Sequence, residues 1–332
     1  MVKVSCTIHG KYRQRDFMKV FLCETIHPKA VAFLEEHGEI IGDWARIGEV
    51  DALINRALNI GAEEMDRMPN LKVIAVHGTG TDGVDLKEAK KRGIQVVYAP
   101  HLNANSVAEL NVGLLLAVYR RIVRACKFIE EEAPALEPSE RMKEAQSILR
   151  GFELRGKTLG QIGFGAIGER TAEILRLGFG MDVIAYDPFL TEDRAAACGC
   201  KKAAKLDEVL GEADVINLSL PLTDQTRGMF GAEQFAKMKD GAVFMNASRG
   251  PLMDEEALYE ALKSGKLGGA ACDVFHEDFP DKENPLLTLS NFVATPHIGA
   301  NTDEALYYVG MACAEQIVDM LEGREPKYPV KM

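Results

Sequence analysis

The sequence predicts an α/β protein built from two doubly wound parallel-sheet domains. Short apolar strand patterns alternate with helical patterns both before residue 111 and after residue 156. Such alternation is typical of parallel sheets whose two faces are covered by helices. The length of 332 residues also favours two domains over one.

A glycine-rich turn lies near the start of the second half. The apolar strand pattern at residues 158–162 is followed by Gly163, Gly165 and Gly168, and then by a helical pattern. This order of strand, turn and helix predicts a Rossmann-type dinucleotide site. Gly163 permits the tight turn, Gly165 lets the backbone approach a pyrophosphate, and Gly168 lets the helix pack against the strand. The phosphates are expected at the helix N-terminus.

An acidic residue follows the next strand. The helix is expected to end at Gly178 and Gly180, and residues 183–186 form a second apolar strand. Asp187 follows directly, nineteen positions after Gly168. A carboxylate there accepts hydrogen bonds from the adenosine ribose and repels a 2′-phosphate, so we predict NAD. Arg194 is close enough in sequence to keep NADP open as an alternative.

The first domain is predicted to begin at Met18, because residues 1–17 have little apolar pattern and suggest a disordered extension or a misplaced start. Ser106 as N-cap and Glu109 three residues later predict a capping box and the start of a buried helix. The strand patterns of this domain lie at 18–22, 52–54, 71–76 and 94–98.

The second domain is predicted to contain six strands. A polar, acidic segment at 130–147 precedes it and suggests an excursion that grips a partner subunit. A final helix over 303–321 has an apolar stripe and is expected to cross back to the first domain. The strand patterns lie at 158–162, 183–186, 215–219, 242–246, 269–274 and 292–295.

The bulk composition excludes some classes of partner. A formal net charge of −11 argues against nucleic acid, since phosphate binding needs a basic face. No apolar run approaches the roughly 18 residues that a membrane span needs. The seven cysteines are scattered without framework spacing, which suggests reduced thiols in the cytoplasm. No metal site is expected.

Polar side chains follow three strands of the second domain, where ligands bind in open parallel sheets. Arg249 is either a solvated loop charge or a guanidinium that grips a carboxylate. His297 is either structural or the proton donor and acceptor beside a nicotinamide. An acid in the loop that follows Asp273 could hold the imidazolium. The alternative is an acidic surface loop, formed by Glu277, Asp278, Asp281 and Glu283.

With these motifs in place, the chain resembles the D-isomer-specific 2-hydroxyacid dehydrogenases, from about Leu71 to Thr302. The order and spacing of several blocks carry the resemblance together. These blocks are Gly78-Thr79-Gly80-Thr81-Asp82 with Asp85; Asn105-Ser106-Val107-Ala108-Glu109-Leu110; Gly156-Lys157-Thr158-Leu159-Gly160; Pro221-Leu222-Thr223; Asn246-Ala247-Ser248-Arg249-Gly250; Asp273-Val274-Phe275; and Thr295-Pro296-His297-Ile298-Gly299.

The resemblance implies a Rossmann NAD domain inserted into a discontinuous, flavodoxin-like substrate domain. The implied bounds are 18–117 with 299–332 for the substrate domain and 118–298 for the NAD domain. Family members are usually dimers through the cofactor domain, so a homodimer is expected.

The resemblance also implies roles for individual residues. Arg249 would bind the substrate carboxylate and carbonyl, His297 would be the acid/base, and Asp278 would pair with it. Asn55 and His101 are expected at the substrate mouth. The substrate set is Arg56, His77, Thr79, Gly80, Arg249 and His297. The NAD set is Val107, Gly163, Phe164, Gly165, Ala166, Ile167, Gly168, Asp187, Pro188, Ser219, Pro221, Thr226, Ala247, Ser248, Asp273 and Gly299.

Two residues depart from the family pattern. Asp278 stands where the family usually has glutamate, so either Asp278 or Glu277 could pair with His297. Ser219 stands where a histidine is common, and it cannot carry a proton.

The resemblance implies an NAD-dependent enzyme that interconverts a 2-oxo acid and a D-2-hydroxy acid, with domain closure excluding water. The substrate stays open among 3-phosphoglycerate, glycerate or hydroxypyruvate with glyoxylate, lactate, and branched 2-hydroxy acids. The alternatives are an NAD(H)-sensing, corepressor-like binding protein and a formate- or phosphite-type dehydrogenase on the same fold.

Overall fold

The structure, a computed structural model, describes residues 18–277 and 279–332. The predicted extension at 1–17 and the predicted catalytic Asp278 lie outside the described residues. The described chain divides into two units, residues 18–100 with Leu306–Met332 and His101–Ala305. Among the described residues, no helix combines the length and apolarity needed to cross a membrane.

The first unit is a five-stranded parallel sheet in the order β2-β1-β3-β4-β5, which is the flavodoxin-like order. Its central strands β3 and β4 are fully buried, as expected for a sheet with both faces covered. Strand β2 is half exposed at the sheet edge and was not predicted. The strands are β1 Met18–Leu22, β2 Gly38–Ile41, β3 Ala52–Asn55, β4 Val73–Val76 and β5 Gln95–Tyr98. The helices are α1 Pro28–Glu35, α2 Ala62–Asp66 and α3 Leu86–Lys91.

The second unit is a seven-stranded parallel sheet in the order β12-β11-β10-β9-β6-β7-β8, the Rossmann arrangement. One strand, β8, is additional to the six predicted, because two lysines at a sheet edge leave no apolar pattern. The strands are β6 Thr158–Ile162, β7 Asp182–Tyr186, β8 Lys201–Lys202, β9 Val215–Leu218, β10 Ala242–Asn246, β11 Leu267–Cys272 and β12 Phe292–Ala294.

Nine helices, α4 to α12, precede, alternate with or follow these strands along the described part of the chain. They are α4 Ala104–Tyr119, α5 Ile122–Lys127, α6 Pro138–Ile148, α7 Ala166–Phe179, α8 Glu192–Ala197, α9 Leu206–Glu212, α10 Ala232–Lys237, α11 Glu255–Lys263 and α12 Asp303–Leu321. Helix α7 continues through Gly178 to Phe179 and is capped by Gly180, which adopts the left-handed conformation at φ +67°. Gly178 was therefore wrongly predicted as a terminator. Helix α12 has the predicted bounds, and the unit boundary falls within it.

The start of α4 differs from the prediction. The helix begins at Ala104, so Ser106 lies in its first turn rather than at the N-cap. Instead of capping, the Ser106 hydroxyl lies 2.8 Å from the hydroxyl of Thr302. The predicted capping box is wrong, because Asn103 is the N-cap and Ser106 is already helical. His101, which precedes the helix, has the left-handed φ of +69°.

Helix α4 belongs to the second unit, whereas the sequence placed residues up to 117 in the first domain. Its buried Asn111 donates a hydrogen bond to the Thr171 hydroxyl of α7 over 3.2 Å. Leu114 and Leu115 join the core beneath the second sheet. The buried leucines of this helix therefore belong to the core of the second unit, an assignment that the sequence pattern alone does not reveal.

Candidate active site

The glycine-rich turn follows β6 and leads directly into α7. Gly163 has φ +85°, and a Cβ atom there would lie 2.2 Å from the backbone oxygen of Ser219. A Cβ atom on Gly168 would lie 2.2 Å from the backbone oxygen of Gly163. Both positions therefore exclude a side chain, and the predicted reasons for these two glycines agree with the packing.

Gly165 has a different environment and is the N-cap of α7, with no side-chain hydrogen bond at this helix end. A Cβ atom on Gly165 would have no atom within 4 Å. The space above the turn is thus open, while the first amides of a 14-residue helix favour an anion there. These residues fit the pyrophosphate of a dinucleotide.

Asp187 is held against this turn. Its carboxylate accepts hydrogen bonds from the Phe164 amide at 2.8 Å and from the Phe189 amide at 2.7 Å. Arg194, the residue that kept NADP open, is paired with Glu169 in the first turn of α7. The arrangement keeps a carboxylate at the end of β7, as a ribose-binding site requires.

Two buried amide side chains, neither of them predicted from the sequence, support the turn from below. Gln161 donates to the backbone oxygen of Gly163 over 3.0 Å. Asn217 of β9 donates to the Gln161 side-chain oxygen over 2.9 Å. Both residues are fully buried. A polar residue inside an otherwise apolar strand was the available signal, since buried amides need partners.

The loop after β9 carries three predicted cofactor residues. The Ser219 amide donates to the Ile162 oxygen over 2.8 Å, which ties this loop to the glycine-rich turn. The Thr226 hydroxyl donates to the Pro221 oxygen over 2.7 Å and closes the loop on itself. Side chains at this strand end are therefore held by local hydrogen bonds.

The loop after β10 positions Arg249. Buried Asn246 donates to the Arg249 backbone oxygen over 2.8 Å, and the Ser248 hydroxyl donates to the Leu218 oxygen over 2.7 Å. A Cβ atom on Gly250 would lie 1.7 Å from the Phe275 oxygen. The backbone of half-buried Arg249 is therefore fixed between a bridging asparagine and a close backbone contact, and its guanidinium donates to the Ser248 oxygen over 2.7 Å.

Asp273, at the end of β11, organises the loop that carries His297. Its buried carboxylate accepts hydrogen bonds from the Thr295 hydroxyl at 2.6 Å, the Ile298 amide at 2.9 Å and the Gly299 amide at 2.8 Å. The His297 amide donates to the Asp273 backbone oxygen over 2.7 Å. His297 is exposed and has φ +54°, a strained conformation that often accompanies function.

Val107 of α4 lies against the loop that Asp273 organises. A Cβ atom on Gly299 would lie 3.4 Å from a Val107 methyl group and 3.1 Å from the Asp273 carboxylate. The structure therefore brings together three residues of the predicted NAD set, from α4 and from the ends of β11 and β12.

Two acids, Glu277 and Asp278, are predicted as the partner of His297. Asp278 lies outside the described residues, and Glu277 is exposed. The flanking loop is anchored by Glu255 of α11, which accepts from the His276 amide at 2.6 Å and from the Asn284 side chain at 2.7 Å. Glu255 was missed, because its contacts are distant in sequence. The pairing of His297 stays a prediction.

The predicted substrate residues of the first unit lie at the carboxyl ends of β3 and β4. Asn55 ends β3 and Arg56 follows it. His77 follows β4, and its amide donates to the Asn55 oxygen over 2.7 Å. Thr79 is exposed and Gly80 is half-buried. Burial lowers the pKa of His77 to about 4, and the nearby Arg56 guanidinium adds to this. His77 is therefore neutral at pH 7.

Burial of neutral His77 makes stability depend on pH. The unfolded chain binds a proton near the ordinary histidine pKa of about 6.5, while the folded chain resists it until about pH 4. Stability is therefore full above the unfolded value and is lost as pH falls towards about 4. We expect the first unit to lose about 2 kcal/mol between pH 7 and pH 5.

The sole tryptophan, Trp44, lies in the first unit, so its fluorescence reports unfolding there. The denaturant midpoint of the wild type is expected to fall on acidification more than that of His77→Asn. Equal shifts in the two proteins would show that His77 is not the group responsible.

Along the second sheet, the polar loops stand in the order of the strands. Asp187 follows β7, the glycine-rich turn follows β6, and Ser219 follows β9. Arg249 follows β10, and Asp273 follows β11. Four strand steps separate β7 from β11, about 19 Å at the usual spacing. This edge can hold an extended dinucleotide with its acidic, ribose-binding end at β7. The described residues contain no group of three His, Cys, Asp or Glu side chains that could hold a metal ion.

Comparison with known proteins agrees with this geometry. Residues 112–299 match the family profile described as D-isomer specific 2-hydroxyacid dehydrogenase, NAD binding domain. The chain is 44% identical to hydroxypyruvate reductase of Thermotoga maritima over 274 residues, which cover 82% of this chain and 85% of that protein. It is similar to the crystal structure of TT0316 protein from Thermus thermophilus, with 35% identity, a TM-score of 0.84, and coverage of 95% and 100%.

A further relative is longer than this chain. D-3-phosphoglycerate dehydrogenase of Methanocaldococcus jannaschii is 39% identical over 324 residues, which cover 95% of this chain and 60% of that protein. The chain thus spans about 60% of the length of that relative. The profile match and the 44% identity to the hydroxypyruvate reductase show that the chain belongs to the D-isomer-specific 2-hydroxyacid dehydrogenase family, whose NAD-binding domain it carries.

Proposed function

We propose that this chain catalyses the NAD-dependent interconversion of a 2-oxo acid and a D-2-hydroxy acid. The observation that carries the proposal is the set of hydrogen bonds by which buried Asp273 holds the strained loop of His297. The fixed loop of Arg249 lies beside this loop. Arg249 follows β10 and His297 follows β12, and only β11, which ends at Asp273, lies between these two strands. A cation and an imidazole at this edge of the sheet are the groups that reduction of a 2-oxo acid requires.

Each of the two residues has a distinct role. The Arg249 guanidinium binds the substrate carboxylate and draws charge towards the carbonyl oxygen. The His297 imidazolium donates its proton to that oxygen as C2 is reduced, and the neutral ring removes the proton in the reverse direction. When bound, NADH supplies the hydride that C2 receives.

The remaining NAD contacts follow from the second unit. The open N-terminus of α7 at Gly165 binds the pyrophosphate, and Asp187 accepts from the adenosine ribose. Val107 and Asp273 lie together and are assigned to the nicotinamide ring and its carboxamide. In the first unit, the amides around Thr79 and Gly80 hold the substrate carboxylate.

The substrate is proposed as a class, a short 2-oxo acid and its D-2-hydroxy partner. Turnover is tested by following NADH absorbance with hydroxypyruvate, glyoxylate, pyruvate, 2-oxoisocaproate and phosphohydroxypyruvate. We expect NADH oxidation with at least one of them, and slower oxidation of NADPH with that substrate. NADH binding without turnover of any acid would instead support an NAD-sensing protein.

Replacing Asp187 is expected to change cofactor preference. Asp187→Asn keeps an oxygen that can accept from one of the two backbone amides, but it removes the charge that repels a 2′-phosphate. We expect the ratio of NADPH to NADH kcat/KM to rise about tenfold, which corresponds to roughly 1.4 kcal/mol.

Asp182→Asn is the matched control, since Asp182 is an exposed acid at the other end of the same strand. The preference of that variant should equal that of the wild type. A preference left unchanged by Asp187→Asn would remove Asp187 from the ribose site.

We further propose a cytoplasmic homodimer that assembles through the second unit. Large apolar side chains are exposed on the segment that follows α4, and they support a partner surface. They include Ile129 at 68%, Met142 at 67% and Phe152 at 65% exposed. The six cysteines of the described residues are free thiols, in keeping with a reducing compartment. Light scattering of the purified protein tests the dimer.

A further inference from the structure

Glu24 makes an unusual set of contacts in the first unit. It follows β1 closely, and its carboxylate accepts hydrogen bonds from three consecutive backbone amides more than thirty residues away. The Arg56 amide donates over 3.0 Å, the Ala57 amide over 2.6 Å and the Leu58 amide over 3.1 Å. One acidic side chain therefore fixes the first three residues after β3.

A second side chain, that of Asn55, also holds the loop of residues 56–58. The buried side chain of Asn55 donates to the Leu58 backbone oxygen over 2.8 Å. Hydrogen bonds from Glu24 and Asn55 together leave residues 56–58 little freedom. A loop braced in this way loses less entropy when its side chains bind a ligand.

The loop of residues 56–58 lies next to the predicted substrate residues that follow β4. Strand β3 pairs with β1 on one side and with β4 on the other. Arg56 therefore lies one strand step, about 4.8 Å, from the end of β4, where the loop of Thr79 and Gly80 begins. The His77 amide donates to the backbone oxygen of Asn55, the residue before Arg56, over 2.7 Å, so His77 and Arg56 are adjacent along this edge of the sheet.

We propose that Glu24 is a positioning residue that holds Arg56 where its guanidinium binds the substituent on C3 of the 2-oxo acid. This inference rests on the function proposed above, with the substrate carboxylate at Thr79 and Gly80. Because His77 is neutral, Arg56 is the cation of this strand-end cluster, and its placement decides how a polar C3 group is bound. Substrates without a C3 group do not use this contact.

The test compares hydroxypyruvate, which has a hydroxyl on C3, with glyoxylate, which has no C3. Glu24→Gln preserves the size of the side chain, but its amide nitrogen cannot accept from the loop. We expect the KM for hydroxypyruvate to rise about tenfold, as for the loss of one charge-assisted hydrogen bond. The KM for glyoxylate should change by less than about threefold, and the NADH dissociation constant should not change.

Two further variants separate positioning from general stability. Glu35→Gln, at an exposed site on α1, makes the same charge change and should match the wild type. Arg56→Ala should raise the hydroxypyruvate KM by at least as much as Glu24→Gln, and the double variant should add nothing to Arg56→Ala. Additive effects, or equal effects on both substrates, would overturn the role of Glu24. A wild type that oxidises NADH with none of the five 2-oxo acids named above would overturn the proposed function itself, and this inference with it. A wild type that is active with another of those acids but with neither hydroxypyruvate nor glyoxylate would overturn this inference alone.

Discussion

Replacing His297 by asparagine is expected to lower kcat by about three orders of magnitude and to leave NADH binding nearly unchanged. General acid catalysis by a placed side chain contributes about 10²–10⁴-fold, and asparagine cannot supply the proton. Asparagine is the suitable replacement because His297 has φ +54°, a conformation that asparagine tolerates better than other non-glycine residues.

The measurement pairs steady-state kinetics with titration of NADH fluorescence. His297→Ala is the comparison variant, since it also removes the imidazole but adds backbone strain of about 1–2 kcal/mol. Both variants should lose turnover, and alanine should lower thermal stability further. Wild-type kcat in His297→Asn would exclude the histidine as the acid/base.

Gly163→Ala is expected to destabilise the fold, whereas Gly165→Ala is expected to leave the fold intact and to weaken NADH binding. At Gly163 the new Cβ would meet the Ser219 oxygen at 2.2 Å, and φ is +85°. Backbone strain of about 1–2 kcal/mol and overpacking of about 1–3 kcal/mol add together there. We therefore expect Gly163→Ala to destabilise the second unit strongly and to lose NADH binding with it.

Gly165→Ala is the informative partner, because its backbone has φ −78° and its Cβ has open space. This variant should keep the wild-type melting temperature. Its methyl group occupies the space assigned to the pyrophosphate, so the NADH dissociation constant should rise about ten- to a hundredfold. Normal NADH affinity in a folded Gly165→Ala protein would place the cofactor elsewhere.

The fold class could be predicted from the sequence because its signals are local. Apolar strands that alternate with helices, and three glycines at fixed spacing, indicate a covered parallel sheet and a dinucleotide turn without any knowledge of distant contacts. The elements that were missed or wrongly bounded also depend on local features. Strand β8 is two lysines at an edge, and α4 begins at Ala104, before the Ser106 that was predicted as its N-cap.

The supporting residues of the site could not be predicted, because their partners lie far away in the chain. Gln161 meets Asn217 across neighbouring strands, and Glu255 holds a loop more than twenty residues on. Glu24 is a similar case. An acid directly beyond a strand marks the carboxyl edge of the sheet, but nothing in the sequence says that three amides after β3 will meet it.

The reaction class is tested most directly by the stereochemistry of oxidation. The purified protein is incubated with NAD and with the separate D and L enantiomers of glycerate, lactate, 2-hydroxyisocaproate and 3-phosphoglycerate, and NADH formation is followed by absorbance. We expect NADH from the D enantiomer of at least one acid and none from the L enantiomers. NADH from an L enantiomer, or from neither enantiomer of any 2-hydroxy acid tested, would contradict the assignment as a D-2-hydroxyacid dehydrogenase.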